Sequence, residues 1–267
     1  MGRFIDRVIV ITGASEGIGR ALACELAPDR PRLVLCARNA ARLEEAAAAC
    51  RASGAEVLTV QADLSSQEAC QRLIDRAVER FGAIDVLVNN AGITMWSRLD
   101  EMQNLSALEH VMRVNYLSAA FVTHAALPHL KKSRGLIVAV ASLAGLTGVP
   151  ERTGYAASKH AMVGFFESLR IELAGSAVDV TLVAPDFVVS QIHRRALGPD
   201  GKPLGSTPMQ ESHIMTAERC AQLMRRAMER RQRLLITSAR GRFGHWARLV
   251  VPSLVDRLAA RAIRTRR

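Results

Sequence analysis

Short, uninterrupted apolar runs recur roughly every 25 to 30 residues along this chain, each separated from the next by a helix-period pattern. That alternation constrains the fold more than any other feature. A run such as Val8-Ile9-Val10-Ile11 is apolar on both sides, as a strand must be when helices cover both faces of its sheet. Seven such runs lie at residues 7–12, 32–37, 55–61, 84–89, 135–141, 178–184 and 233–237. Helical patterns occupy 17–27, 40–52, 67–81, a long stretch near 108–131, 153–174 and 217–231. Right-handed crossovers between such units predict an α/β fold, a doubly wound, seven-stranded parallel sheet of Rossmann type. A nucleotide crevice is expected where the strand order reverses.

The 267 residues suffice for a core without disulfide or metal staples. Five scattered cysteines without a C-x-x-C read as free thiols of a cytosolic protein. Strand-like sequence begins by Arg7 and leaves no room for a signal peptide, so a cytoplasmic location is expected. Seven histidines with neither H-E-x-x-H nor a Cys/His cluster give no metal pattern.

The net charge of +11 is concentrated at one end. Residues 219–267 hold 14 arginines against Glu229 and Asp256, a net of +12, so the rest of the chain carries −1. The organisation expected is one catalytic domain over 1–241 and a basic extension over 242–267.

Thr12-Gly13-Ala14-Ser15-Glu16-Gly17-Ile18-Gly19 joins the first strand to the first helix. Glycines there permit a tight turn and bring backbone N–H groups and a helix N-terminus to a pyrophosphate. An NAD site would offer a carboxylate to the ribose about 20 residues on. Here the second strand ends in Arg38, whose guanidinium can pair with a 2′-phosphate, so NADP(H) is expected over NAD(H). Asp63, followed by Leu64, can accept from an adenine amino group or cap the next helix. Asn89-Asn90-Ala91-Gly92 ends the fourth strand at the same edge, with small residues beside the ribose and amides able to tie strands together.

Tyr155 and Lys159 stand four apart at the start of a helix and share a face. A phenol titrates near about pH 10 and needs help to exchange protons at neutral pH; an ammonium one turn away favours its anion. Ser142, just past the fifth strand, can hold the substrate oxygen beside Tyr155. The Asn115 amide can hold a water that links Lys159 to solvent.

In this order, the glycine turn, Ala62-Asp63-Leu64, Asn89–Gly92, Asn115, Ser142, Tyr155-x-x-x-Lys159 and Pro185 resemble the short-chain dehydrogenase/reductase family over residues 7 to 190. The resemblance implies an Asn115/Ser142/Tyr155/Lys159 tetrad, hydride transfer at nicotinamide C4, and a homodimer or homotetramer. It also implies that Val188 and Ser190 contact the carboxamide. Departures are Asp186 where the family often has glycine, expected to alter the loop, and Glu16 where NADP-preferring members often carry a basic residue.

Residues 186–215, rich in Gly, Pro and Ser, read as a lid supplying Phe187, Ile192, Leu197, Leu204 and Met209 to a pocket for a bulky apolar substrate. In the tail, Phe243, Trp246, Leu249, Val250, Leu254, Val255 and Leu258 recur at helical spacing among arginines, with Pro252 dividing two short helices. Such a stretch suits the enzyme's own lid, a second subunit or a membrane surface. Nucleic acid is not expected, since no stacking platform accompanies the charge. The leading function is an NADP(H)-dependent oxidoreductase for a lipophilic carbonyl or alcohol. Alternatives are a 3-oxoacyl thioester reductase and a non-catalytic dinucleotide-binding regulator.

Overall fold

A computed structural model describes residues 3–207 and 214–264. The strands are β1 (Val8–Thr12), β2 (Arg32–Ala37), β3 (Glu56–Gln61), β4 (Val86–Asn89), β5 (Leu136–Val140), β6 (Asp179–Ala184) and β7 (Leu234–Ile236). They form one sheet in the order β3-β2-β1-β4-β5-β6-β7, and every ladder is parallel. The helices are α1 (Gly17–Leu26), α2 (Ala40–Ala52), α3 (Gln67–Phe81), α4 (Ser106–Met112), α5 (Ser118–Ser133), α6 (Thr153–Glu172), α7 (Ala217–Glu229), α8 (Ala239–Val250) and α9 (Pro252–Arg264). The doubly wound fold expected from the strand rhythm is the fold observed.

The continuous apolar runs are explained by two cores, one on each face. Ile9, Ile11, Leu33, Leu35 and Val88 pack with Leu22 of α1, Leu43 of α2 and Met224 of α7. The alternate residues Val10, Val34, Leu87 and Ile137 pack with Leu73 of α3, Val122 of α5 and Phe166 of α6. Successive side chains of a strand point to opposite faces, so both sets must be apolar. Parallel strands also deliver all their carboxyl ends to one edge. The order reverses between β1 and β4, which places the crevice above that junction.

The long helix expected near 108–131 is observed as α4 and α5 joined by one turn of π-helix, Arg113–Leu117. A π-turn inserts one residue into the helical ladder and re-aims its neighbours, and Asn115 sits in it. Pro252 opens α9 at its first position, where a missing N–H costs no helical bond, so the tail is two helices as expected. Helix α8 begins at Ala239 and therefore spans the expected 241/242 boundary. Its first turn is bound to the domain: Ser238 Oγ donates to Asp186 at 2.8 Å and Arg240 Nη2 at 2.9 Å. All five cysteines are free. Among the described residues no helix is long and apolar enough to cross a membrane.

Candidate active site

One cavity of about 500 Å³ opens at the carboxyl edge of the sheet. Its wall includes Gly13, Ser15, Glu16, Gly17, Ile18, Arg38, Asp63, Leu64, Asn90, Ala91, Gly92, Ser142, Tyr155, Lys159, Pro185, Val188 and Ser190. Of the residues expected to bind cofactor or substrate, Gly19 and Asn115 lie behind this wall. Gly19 has a packing role: a Cβ there would stand 2.3 Å from Gly13 O and 2.5 Å from Asn90 Nδ2.

A knot of hydrogen bonds holds the floor at the strand-order reversal. Thr12 Oγ1 donates to Val88 O at 3.2 Å and accepts the backbone N–H groups of Asn90 and Ala91 at 2.9 and 3.0 Å. Asn90 Nδ2 donates to Thr12 O and Gly13 O at 2.9 and 3.1 Å, binding the glycine turn to the end of β4. Gly13 has φ of +66°, and a Cβ would meet Ala91 Cα at 2.9 Å, so only glycine fits. Helix α1 starts at Gly17 with no side-chain cap on its first turn, leaving N–H groups and the positive helix end for an anion. The wall thus fits a nicotinamide dinucleotide: it offers an uncapped helix N-terminus to an anion and has Arg38 and Asp63–Ser65 along the same cavity.

Asp63 does not cap α3; Ser66 does, accepting from Ala69 N at 3.1 Å. One Asp63 oxygen accepts from Ser65 N at 3.0 Å. Burial alone would raise this carboxyl, but the Ser65 bonds and the charges of Arg38 and His110 hold it below its ordinary value. Glu16 lines the cavity, yet its carboxylate is engaged by Arg42 of α2 at 2.9 Å and by both Nη atoms of Arg195 at 2.6 and 2.9 Å. Arg42 and Arg195 are residues the sequence reading missed. Nothing local marks Arg195, which reaches Glu16 across 179 positions of sequence.

At the other end, Tyr155 and Lys159 stand on the first turns of α6. Lys159 is buried; its Nζ donates to Val140 O at 2.9 Å, with Met162 Sδ at 3.4 Å, and lies 6.0 Å from the centre of the Tyr155 ring. Ser142 Oγ accepts from Ala144 N at 3.1 Å, which leaves its O–H as a donor toward the cavity. Asn115 Nδ2 donates to Ile93 O and to Ser158 Oγ, each at 2.9 Å, while Oδ1 accepts Ile93 N at 2.8 Å. Ser158 Oγ in turn donates to Tyr155 O at 2.7 Å. The π-turn therefore clamps α6 to the segment after β4. Both amide N–H bonds go to protein, so a water could be held only by the second lone pair of Oδ1. A Cβ on Gly92 would sit 3.1 Å from that oxygen and 3.6 Å from Lys159 Nζ, and glycine keeps the gap open.

Arg152, another residue missed, is 5% exposed. Its guanidinium lies 4.5 Å from the Trp96 ring centre, 5.2 Å from Tyr155 and 5.4 Å from Phe187. Arg152 Nη2 is 3.4 Å from His193 Nδ1, and His193 Nε2 is 3.2 Å from Val188 O. Burial and the Arg152 charge push His193 down to about 4, so the imidazole is neutral, donating from Nε2 and accepting at Nδ1.

The described part of the segment after β6, residues 186–207, crosses the cleft. Leu197 N donates to Thr94 O at 2.9 Å, Trp96 N to Leu197 O at 2.8 Å and Gln103 N to Pro199 O at 2.9 Å. Ile192, Leu197 and Pro203 line the cavity. Phe187 instead packs under Arg152, Leu204 is exposed, and Met209 lies outside the described residues. Asp186 fastens the lid's root, accepting from Ser238, Arg240 and Phe187 N while its own N–H donates to Thr237 Oγ1.

A parallel Rossmann sheet with a glycine-rich turn, and with a Tyr–Lys pair beside a serine at the same edge, defines an oxidoreductase of the nicotinamide-dependent class. Residues 7–198 match the short chain dehydrogenase family, and the chain belongs to it. An 11-beta-hydroxysteroid dehydrogenase A of Sesamum indicum is 35% identical over 256 residues, covering 94% of this chain and 73% of that protein. A short chain dehydrogenase/reductase from Burkholderia phymatum, solved with NAD, is 31% identical with a TM-score of 0.80, covering 92% of this chain and 95% of that one. An alcohol dehydrogenase from the archaeon Thermococcus sibiricus, complexed with 5-hydroxy-NADP, is 28% identical with a TM-score of 0.76, covering 86% and 95%. The protein is an oxidoreductase acting on CH–OH or C=O groups with a nicotinamide dinucleotide.

Burial pushes the Lys159 ammonium down from an ordinary 10.5 to about 7. Between those values the unfolded chain holds a proton that the folded chain has released, so stability rises with pH across that window. The gain is at most about 1.4 kcal/mol per pH unit. Melting curves of the ligand-free protein at pH 7, 8 and 9 will show this slope as the difference between wild type and Lys159→Met. Parallel pH dependences in the two proteins would contradict it.

Proposed function

We propose that this protein is an NADP(H)-dependent dehydrogenase/reductase for a lipophilic ketone or secondary alcohol, with Tyr155 as its general acid and base. The observation that carries the reading is the shared cavity. One wall holds the glycine turn and Arg38 at one end and Ser142, Tyr155 and Lys159 at the other.

When bound, the nicotinamide supplies or takes the hydride. The chain's own groups handle the proton and the geometry. In the reductive direction Tyr155 Oη gives a proton to the substrate oxygen, and the Ser142 O–H donates to the same oxygen and orients it. In its ammonium form Lys159 favours the resulting phenolate through its charge and keeps one N–H for a ribose hydroxyl, its other two being directed at Val140 O and Met162 Sδ. Asn115 fixes the start of α6 through Ser158 and so sets where Tyr155 stands.

The preference for NADP(H) is supported by Arg38 at the end of β2, where a carboxylate would repel a 2′-phosphate. Glu16, which could repel the same group, is already neutralised by Arg42 and Arg195. A lipophilic substrate is supported by Ile93, Ile192, Leu197 and Pro203 in the wall and by the relatives named as hydroxysteroid dehydrogenases.

Fluorescence titration with NADPH and NADH tests the cofactor reading. Wild type is expected to bind NADPH at least about tenfold more tightly, and Arg38→Ala to lose that preference. Equal affinities that the substitution leaves unchanged would overturn it. Tyr155→Phe tests the chemistry: turnover should fall by about 10²- to 10⁴-fold with NADPH affinity retained. A variant that turns over normally would remove Tyr155 from the mechanism.

A further inference from the structure

Helices α8 and α9 leave the domain surface with an uncovered apolar stripe. Phe243, Trp246, Leu249 and Val250 of α8 are 76, 67, 68 and 81% exposed, and Leu254 and Leu258 of α9 are 50 and 56% exposed. Isolated exposed leucines need no explanation, but these six and Val251 between the helices, seven large apolar side chains within sixteen residues, form a patch of the kind that docks on something. The helix spacing makes the stripe one-sided. Phe243, Trp246 and Val250 fall at i, i+3 and i+7, and Leu254 and Leu258 at i and i+4.

The opposite side of α8 is what holds it to the enzyme. Gly241 backs onto Leu143, where a Cβ would come within 2.7 Å of Cδ1. Arg248 donates to Leu146 O, and Arg240 pairs with Asp186 at 2.9 Å. Leu143 follows Ser142, and Asp186 follows Pro185, so the domain-facing side of α8 packs against residues next to two that line the cavity, and the stripe faces away from them.

Charge decides between occupants. Residues 239–261 hold five arginines against the single carboxylate Asp256, and with Arg240 paired to Asp186 the two helices still carry a net positive charge. A second copy docking here by two-fold symmetry would bring the same face against itself, cation upon cation. An anionic bilayer surface offers apolar depth to the stripe and negative charge to the net positive helices that carry it. Since neither helix is long and apolar enough to cross a membrane, both would lie in the plane of the interface.

We propose that the α8–α9 face is a docking surface for an anionic phospholipid bilayer. It holds the enzyme at the membrane through α8 and α9, which lie in the plane of the interface. The proposal rests on the exposed stripe and the net positive charge of the two helices and stands apart from the identity of the substrate or cofactor.

The chain supplies its own reporter, because its two tryptophans are Trp246 in the stripe and Trp96, which packs on Arg152 and donates to Glu151. The full-length protein would be mixed with vesicles of phosphatidylcholine and of phosphatidylcholine with phosphatidylglycerol. Co-sedimentation and tryptophan emission are read in parallel. The expected result is a blue shift and co-sedimentation with the anionic vesicles, weakening as salt screens the arginines. The blue shift should be absent in Trp246→Phe. In a Phe243→Ser/Leu249→Ser variant with an unchanged melting temperature, partition into anionic vesicles should fall roughly tenfold or more. Failure of the wild type to sediment with anionic vesicles would overturn the proposal, as would equal binding by the double variant. A blue shift that follows protein concentration without vesicles would assign the face to a second copy instead.

Discussion

The knot between Thr12, Asn90 and the Gly13 carbonyl is the contact on which the site depends. It lies where β1 meets β4, the one place in this sheet where consecutive connections leave in opposite directions. Two Asn90 N–H bonds and two acceptances at Thr12 Oγ1 tie the glycine turn to the end of β4. With these fixed, α1 must start at Gly17 and its uncapped N–H groups must face the crevice. Gly19 can pack only as glycine, because Gly13 O and Asn90 Nδ2 occupy the space of its Cβ. The floor that receives a dinucleotide is therefore held by hydrogen bonds within the protein itself.

The reactive end is fixed by a second set of contacts, carried by the π-turn. Asn115 spends its amide on Ile93 and Ser158, and Ser158 passes the constraint to the backbone of Tyr155. Two buried basic side chains, Lys159 and Arg152, lie 6.0 and 5.2 Å from the centre of the same phenol ring. A charge in so dry a setting interacts strongly with whatever develops beside it. The segment after β6 lies across the cleft, bonded at Asp186 to Ser238 and Arg240 and through Leu197 to the backbone of Thr94 and Trp96.

The legible features were those written in local pattern. Continuous apolar runs gave both faces of the sheet, and the glycine turn, Asn89–Gly92, Ser142 and the Tyr155–Lys159 spacing led to one cavity wall. What could not be read was set by tertiary contact. The π-turn within the long helix has no residue signature, because it follows from where Ile93 and Ser158 stand. Phe187 looks like a pocket residue in the sequence, yet Arg152 draws it away from the cavity. The pairing of Glu16 with Arg195 joins residues far apart in sequence, and it changes how an acidic residue in the glycine turn should be judged. Asp186, a departure from the family's usual residue, turns out to anchor α8 to the lid.

The central claim is that one cavity brings a reduced nicotinamide and a carbonyl together against Tyr155. The most direct test is transfer of the label from NADPH deuterated at C4 to lipophilic ketones, read by mass spectrometry of the product alcohols. The account predicts deuterium on the carbinol carbon of at least one ketone, from one face of the nicotinamide. Tight NADPH binding without deuterium in any product would contradict it.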